Sequence, residues 1–437
     1  MTQETTTSTA PVTKSQESEP PEVGTQGAAA AEGMESLSWQ QRYTDSVMGV
    51  FGSPQQLLVS GSGCRVTDAE GRELLDMLGG IAVNALGHAH PGFTEGLTAQ
   101  LNRLGHISNL FTSAPQIGLA EDLLRLAEAP AGSTVFFANS GSEANEAALK
   151  AVLKYRAQTG RSRILALTGG FHGRTVGAVS LTHKPAYREP FGPLLDGVEF
   201  LAPNDLEALE AALSAGDIAG IFLEPIQGEA GVRPLSPEYL AAVRRLTREH
   251  GTLMILDEVQ TGVGRTGDWF RFQGAGREVG EDLTPDYMTL AKGLGSGVPI
   301  GALLAFGPSH SARLSAGEHG TTFGGNPLAA TAGRLTLAAI ESQGLLENTR
   351  RVGAQLAAGL RQMEPVAQVR QFGLHLGVDL RAEAPEVVRR ARRHGLVLNA
   401  TGPDTLRLAP PLILSPADAD EFLTRFAAVF DDHQEPR

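Results

Sequence analysis

The sequence is short of cysteine, lysine, positive charge and long apolar runs. Each shortage excludes something. Cys64 is the one cysteine in 437 residues, which rules out an internal disulfide framework and a multi-cysteine zinc site. It suits a reducing, cytoplasmic setting. No run approaches the ~18 apolar residues of a membrane-spanning helix. The formal charge is −13, so the basic excess of a nucleic-acid surface is missing. Residues 1–35 contain almost no large apolar side chains. Such a stretch cannot bury enough surface to offset its ordering entropy and is expected to be disordered. It also lacks the apolar core of a signal peptide and the arginines of a transit peptide.

The scarcity of lysine gives one lysine weight. Only Lys14, Lys150, Lys154, Lys184 and Lys292 occur, and every other basic residue is arginine. Lys292 closes the apolar run YMTLA and is followed by GLGSG. A lysine at a sheet edge is often a solvated gatekeeper. Apolar neighbours instead predict desolvation, which lowers the amine pKa and makes it a nucleophile able to form Schiff bases. Upstream, TLMIL ends at Asp257 and Glu258. Short apolar runs bounded by Gly and Pro read as buried parallel strands. Ligands of open α/β sheets bind beyond the carboxyl ends of such strands. A carboxylate and an amine are therefore expected at one sheet edge.

A chain of this length needs more than one folding unit. Four segments are expected: a tail at 1–35, an N-terminal segment at 36–90 packing with a smaller domain, a large α/β domain at 91–330, and a small α+β domain at 331–437. The first globular segment reads as strands with a turn at Asp68–Gly71. His88 and His90 form an H-x-H pair without a third ligand nearby, so no metal site is expected. Residues 92–104 and 116–128 read as amphipathic helices. TVFFANSGSEANEAALK reads as a strand, a turn at Asn139–Ser142 and a helix. A Gly-Ser turn opening a helix leaves free N–H groups that bind anions; it equally reads as an ordinary Ser-capped helix. Arg163–Leu167 is a strand whose following turn presents Phe171, His172 and Arg174. GIFLEPIQGEAGV is a strand ending at Glu224, with a second carboxylate at Glu229. Residues 237–250 form a helix. The alternation from about 130 to 305 predicts an α/β fold with a mostly parallel sheet and helices on both faces. After a glycine-rich loop and a long helix, residues 366–380, 385–394 and 396–430 read as strand, helix, then strand and helix. Arg407 falls on an apolar strand and needs an anionic partner.

GVGRTG at Gly262–Gly267 matches a dinucleotide fingerprint literally. Asp257 and Glu258 just before it would repel a pyrophosphate, and little helical pattern follows, so an NAD(P)-binding dehydrogenase is the remote alternative. A non-catalytic scaffold would have no need of a lysine, an acid, an aromatic and an anion loop all at strand ends.

NSGSEANEAALK, FHGRT, EPIQGEAGV, LDEVQTGVGRTG, AKGLGSGVPIGA and HGTTFGGNPLA occur in that order. Together they resemble the class III, ornithine-type aminotransferases, over about Tyr43 to Phe430. The resemblance implies the type I fold of pyridoxal-phosphate enzymes. It implies pyridoxal 5′-phosphate as cofactor, held as a Schiff base by Lys292, with Asp257 at the pyridinium nitrogen. Gln260 would meet the phenolic oxygen, Phe171 would stack on the ring, and Gly141 and Ser142 would take the phosphate. Glu258 and Val259 would complete the cofactor pocket. Thr322 would reach the phosphate from the second subunit of a homodimer. For substrate, Arg174 would bind a distal carboxylate and Arg407 the near carboxylate of glutamate or 2-oxoglutarate. Glu229 would neutralise Arg407 when no carboxylate is there; a fixed structural ion pair is the other reading. Thr321 is a further substrate candidate. GGIAVNALGHAHP and TLRLAPPL imply N2-acetylornithine as amine donor, with ornithine, succinylornithine, succinyldiaminopimelate and 4-aminobutyrate as alternatives.

Overall fold

A computed structural model describes residues 38–431, which fall into two units, 38–57 and 58–431. The tail expected at 1–35 lies outside the described residues. The first unit holds helix α1 (Trp39–Ser46), capped by Ser38, whose Oγ accepts from the Gln41 N–H.

The second unit begins with an antiparallel meander, β1 (Leu58–Ser62), β2 (Arg65–Asp68) and β3 (Glu73–Asp76). Its β2–β3 turn closes through Gly71 N–H donating to the Asp68 carbonyl. Helices follow at Pro91–Leu101 and Ala114–Leu126. The central sheet contains β4 (Thr134–Ala138), β5 (Arg163–Leu167), β6 (Val198–Leu201), β7 (Ile218–Leu223), β8 (Leu253–Asp257), β9 (Tyr287–Leu290) and β10 (Gly301–Ala305). Their order is β4–β10–β9–β8–β7–β5–β6. All run parallel except β10, which is antiparallel to both neighbours, β9 and β4. The sheet is thus mostly parallel, as expected. In the β8–β9 register Asp257 faces Thr289, so Asp257 and Lys292 emerge at the same edge.

Local chemistry fixes the helices that matter. In α2 (Gly141–Thr159) the Ser140 side chain accepts from Glu143 N–H, and Gly160 ends the helix at φ 70. Its buried face is mostly small, with Ala144, Ala147, Ala148, Ala151 and Val152 beside Asn145 and Leu149. Small residues let the helix axis lie close to the sheet. α3 (Pro237–His250) has Ser236 as cap, Pro237 in its first turn and left-handed Gly251 after it. That is the usual asymmetry of start and stop residues.

After α4 (Pro327–Ser342) and α5 (Leu345–Arg361), residues 366–380 differ from expectation. They form two strands, β11 (Val366–Phe372) and β12 (His375–Leu380), not one. Gly373 takes φ 55 and reverses the chain between them. β12 pairs with β15 (Thr405–Leu408), the strand carrying Arg407, after the short strands β13 (Leu396–Val397) and β14 (Asn399–Ala400). β13 joins β3 in parallel, tying the C-terminal part to the opening meander. No described helix is long and apolar enough to cross a membrane.

Candidate active site

A cavity of about 340 Å³ opens at the carboxyl edge of β8 and β9. Asp257, Lys292, Gly141, Ser142, Phe171, Val259, Gln260 and Glu229 all line it. Residues from five separate stretches therefore meet in one place.

Asp257 is 4% exposed. Its Oδ1 accepts from Val259 N–H at 3.1 Å. Its Oδ2 accepts from Asn145 Nδ2 and meets His172 Nδ1, each at 2.8 Å. Asn145 spends its other amide hydrogen on the His172 carbonyl at 2.8 Å. Thr289 Oγ1 donates to Asn145 Oδ1 at 2.9 Å. The carboxylate is thus held by donors and keeps capacity on Oδ1. Burial works against charge on His172, but the hydrogen bond and charge of Asp257, with Glu224 beyond, push its pKa above the ordinary value. Glu224 donates nothing to catalysis in the expected site, yet it is buried in the cavity wall and accepts from Phe171 N–H at 2.8 Å. Burial pushes its carboxyl up to about 7, against the pull of His172.

Lys292 follows β9 with a left-handed φ of 40. That conformation is uncommon for a residue with a side chain and recurs at functional sites. Burial pushes its amine down to about 8, and the Arg407 charge adds to the effect; Glu229, Asp257 and Glu224 oppose it. The desolvated lysine expected from the sequence is therefore present.

The α2 N-terminus forms another wall. Glu143 N–H is satisfied by Ser140, while Gly141 and Ser142 precede the first intrahelical bonds. A Cβ on Gly141 would come 2.8 Å from Val259 Cγ1. Ser142 Oγ also accepts from Arg174 N–H at 3.3 Å. The Arg174 guanidinium is exposed and lies 3.5 Å from the Tyr187 ring centroid. Phe171 stands edge-on to that ring.

Arg407 is 1% exposed and forms an ion pair with Glu229. Its Nη2 donates to Asn399 Oδ1 at 2.9 Å and its Nη1 to Gln260 Oε1 at 3.3 Å. Burial works against the Glu229 carboxylate, but Arg407 prevails and holds it below the usual range.

Other expected residues lie elsewhere. Glu258 turns its carboxylate away from the cavity. It accepts from Arg271 N–H at 2.7 Å, Phe272 N–H at 2.8 Å and Thr261 Oγ1 at 3.0 Å, so it caps the helix Arg271–Val279. Thr321 is half-buried, with Oγ1 3.3 Å from Asn139 Nδ2, and Thr322 is exposed. Two of the three glycines of GVGRTG pack against the C-terminal part, while Gly262 lies against the Glu258 carbonyl and Leu290. Gly264 faces Leu346 and Leu412, and Gly267 faces Arg350. His88 pairs with Asp76 at 2.9 Å, and His90 caps the helix Pro91–Leu101.

Asn145 and Thr289 were not singled out from the sequence. Their signal was a polar side chain at a helix or strand position that periodicity assigns to the interior. His172 was noted, but its carboxylate partner is 85 residues away in sequence.

These groups fit pyridoxal 5′-phosphate. Lys292 would supply an amine for its aldehyde and Asp257 a carboxylate for its ring nitrogen. Phe171 and Val259 would supply ring faces, and the Gly141–Ser142 amides a phosphate site. The missing Gly141 side chain leaves room for Val259 to pack against the helix N-terminus.

The aminotransferase class III family model matches residues 52–430. The acetylornithine aminotransferase of Corynebacterium efficiens is 47% identical over 401 residues, covering 90% of this chain and 96% of that relative. Its namesake in Mycobacterium tuberculosis is 46% identical over 399 residues, covering 91% and 97%. Among solved structures, ornithine aminotransferase from Toxoplasma gondii superposes with a TM-score of 0.84 at 28% identity, covering 93% of this chain and 98% of that one. N-acetylornithine aminotransferase from Stenotrophomonas maltophilia gives 0.75 at 36% identity, covering 88% and 97%. Sheet order, cavity chemistry and these likenesses agree that the chain belongs to the class III aminotransferases, enzymes of pyridoxal 5′-phosphate.

Proposed function

We propose that the chain transfers the side-chain amine of N2-acetyl-L-ornithine to 2-oxoglutarate. The products are N-acetyl-L-glutamate 5-semialdehyde and L-glutamate, formed in ping-pong order as a step of arginine biosynthesis. The observation that carries this reading is the Arg407–Glu229 pair beside Lys292. The two amine donors differ in where their carboxylate lies. Glutamate places one next to the reacting carbon, and acetylornithine places none there. A cation able to exchange Glu229 for a substrate carboxylate serves both. The names of the relatives from Corynebacterium efficiens and Mycobacterium tuberculosis support the same donor.

When bound, pyridoxal phosphate supplies an electron sink for the pair left on the substrate carbon after its proton departs. The chain's own residues do the rest. Asp257, held by Asn145 and His172, keeps a negative charge at the ring-nitrogen end. Lys292 Nζ would hold the cofactor and, once freed by the incoming amine, carry the proton from the donor's reacting carbon to the cofactor's aldehyde carbon, and in the second half-reaction from there to the keto-acid carbon. Val259 and Phe171 confine the ring, and the Gly141 and Ser142 amides hold the phosphate. Arg174, stacked on Tyr187, receives the distal carboxylate.

A second copy completes the site in this reading. Thr322 is exposed beside Phe323, and Asn109 Nδ2 ties that loop to the Leu110–Phe111 turn by donating to the Thr321 and Gly324 carbonyls, both at 3.1 Å. Leu110, Phe111 and Phe323 are 87%, 70% and 59% exposed. An apolar patch of this kind marks an association surface, and a homodimer would cover it while bringing Thr322 to the partner's phosphate. A cytoplasmic setting suits a chain whose one cysteine is a buried free thiol.

The test is kcat/KM over acetylornithine, ornithine, succinylornithine, succinyldiaminopimelate and 4-aminobutyrate, since discrimination is a ratio of those constants. Acetylornithine is expected to lead. A lead for 4-aminobutyrate would overturn the biosynthetic assignment.

A further inference from the structure

One titratable group near the site has no part in the reaction above. His375 opens β12 in the apolar run GLHLGV and is fully buried. Its Nε2 lies 3.0 Å from Gln260 Oε1. The same oxygen receives Arg407 Nη1 at 3.3 Å. Arginine only donates, so the Gln260 atom facing it is the oxygen. The imidazole nitrogen facing that oxygen must then carry a hydrogen. His375 Nδ1 makes no hydrogen bond among the described residues, as suits a bare lone pair. Burial, with the positive charges of Arg265, Arg407 and Lys292 nearby, holds His375 well below its usual range. The ring is therefore neutral, with its proton on Nε2.

Two donors on Oε1 leave the Gln260 amide only one orientation. Its NH2 group is directed away from them, and the neighbouring Glu229 carboxylate is steadied by that side chain. Gly228 makes this placement possible, because a Cβ there would lie 1.9 Å from Gln260 Oε1. We propose that His375 is a positioning residue that fixes the Gln260 amide and so sets how Arg407 is shared between Glu229 and the near carboxylate of glutamate. A second donor on Oε1 limits how closely that oxygen can follow Arg407. The guanidinium then remains free to turn from Glu229 to an incoming carboxylate. The same contact would leave the Gln260 NH2 available to the phenolic oxygen of a bound cofactor. The inference rests on the proposed role of Arg407 in taking up glutamate.

The experiment uses purified holoenzyme of His375→Leu, which lacks the donor, and His375→Gln, which restores an N–H at a similar reach. Should His375→Leu not accumulate folded, His375→Met is read in its place. Two readouts are taken: the pH midpoint of the visible cofactor band, and single-turnover constants with glutamate and with acetylornithine. Loss of the donor is expected to raise the band midpoint, because an NH2 on the phenolic oxygen favours the form bearing most charge there. It is expected to weaken glutamate kcat/KM about tenfold and acetylornithine less than about twofold. His375→Gln should recover most of both effects. An unmoved band, equal losses with both amines, or Leu and Gln variants that behave alike would overturn the inference. If wild type fails with acetylornithine, the substrate assignment falls, while the band and the glutamate constant still decide the role of His375.

Discussion

At the scale of single residues, the environment of Lys292 suits the role proposed for it. Lys292 is pushed down to about 8 by burial, from an ordinary 10.5. A lowered amine pKa means the neutral, nucleophilic form dominates above the shifted value and is lost as pH falls through it. Cofactor-free protein should therefore take up pyridoxal phosphate with a rate that rises with pH through a midpoint near about 8. A midpoint near 10.5 in stopped-flow uptake would contradict the desolvated lysine. Lys292→Ala should lower kcat by about 10²–10⁴-fold, the usual worth of a positioned acid–base group. Glu229→Gln tests the other cation. With its anionic partner gone, Arg407 would attract a near carboxylate at all times. Glutamate turnover should hold while acetylornithine kcat/KM falls about tenfold, ~1.4 kcal/mol. Equal losses with both amines, measured by single turnover, would favour a fixed ion pair.

At the scale of elements, the two edges of the sheet do different work. The carboxyl edge holds Asp257 and Lys292. The opposite edge is fastened by a buried ion pair, Arg244 on α3 with Asp286 just before β9, at 3.1 Å. Asp286 also accepts from Met254 N–H on β8 at 2.7 Å. Removing one member strands the other charge, so Asp286→Ala should cost about 3–5 kcal/mol in urea unfolding of the cofactor-free protein. Replacing both partners by apolar residues should cost much less. Elements of this kind were largely legible in advance. The expected strand Arg163–Leu167 and helix 237–250 coincide with the observed ones, because a strong apolar run or a cap at each end marks them. The hairpin at 366–380 was not legible, since Gly373 interrupts an otherwise continuous apolar alternation. Glu258 shows a different limit. Two adjacent acids after one strand look equivalent in sequence, yet alternation sends neighbouring strand residues to opposite faces. One reaches the cavity and the other caps a helix. The Asp257–Asn145 and His375–Gln260 contacts join residues more than a hundred positions apart. Such contacts depend on the packing of elements and leave no trace in local spacing.

At the scale of the whole molecule, the site borrows from the C-terminal part as well as from the central sheet. β15 delivers Arg407, β12 delivers His375, and β13 binds this region to the opening meander through β3. The active site is therefore a product of the closed fold and cannot be cut from the central sheet. In the proposed homodimer, the exposed apolar turn at Leu110–Phe111 and the loop at Phe323 would extend the same dependence to a second copy. The lone cysteine bears on how that is measured. Cys64 is buried, and burial with Asp418 and Asp76 nearby pushes its thiol up to about 12. Toward thiol reagents the native chain is a silent background. A Thr322→Cys variant would then carry one reactive reporter, placed where the second copy is proposed to close the site. Its labelling should be slow in concentrated protein and quicken on dilution. A labelling rate indifferent to concentration would leave Thr322 facing solvent and deny it the partner's phosphate.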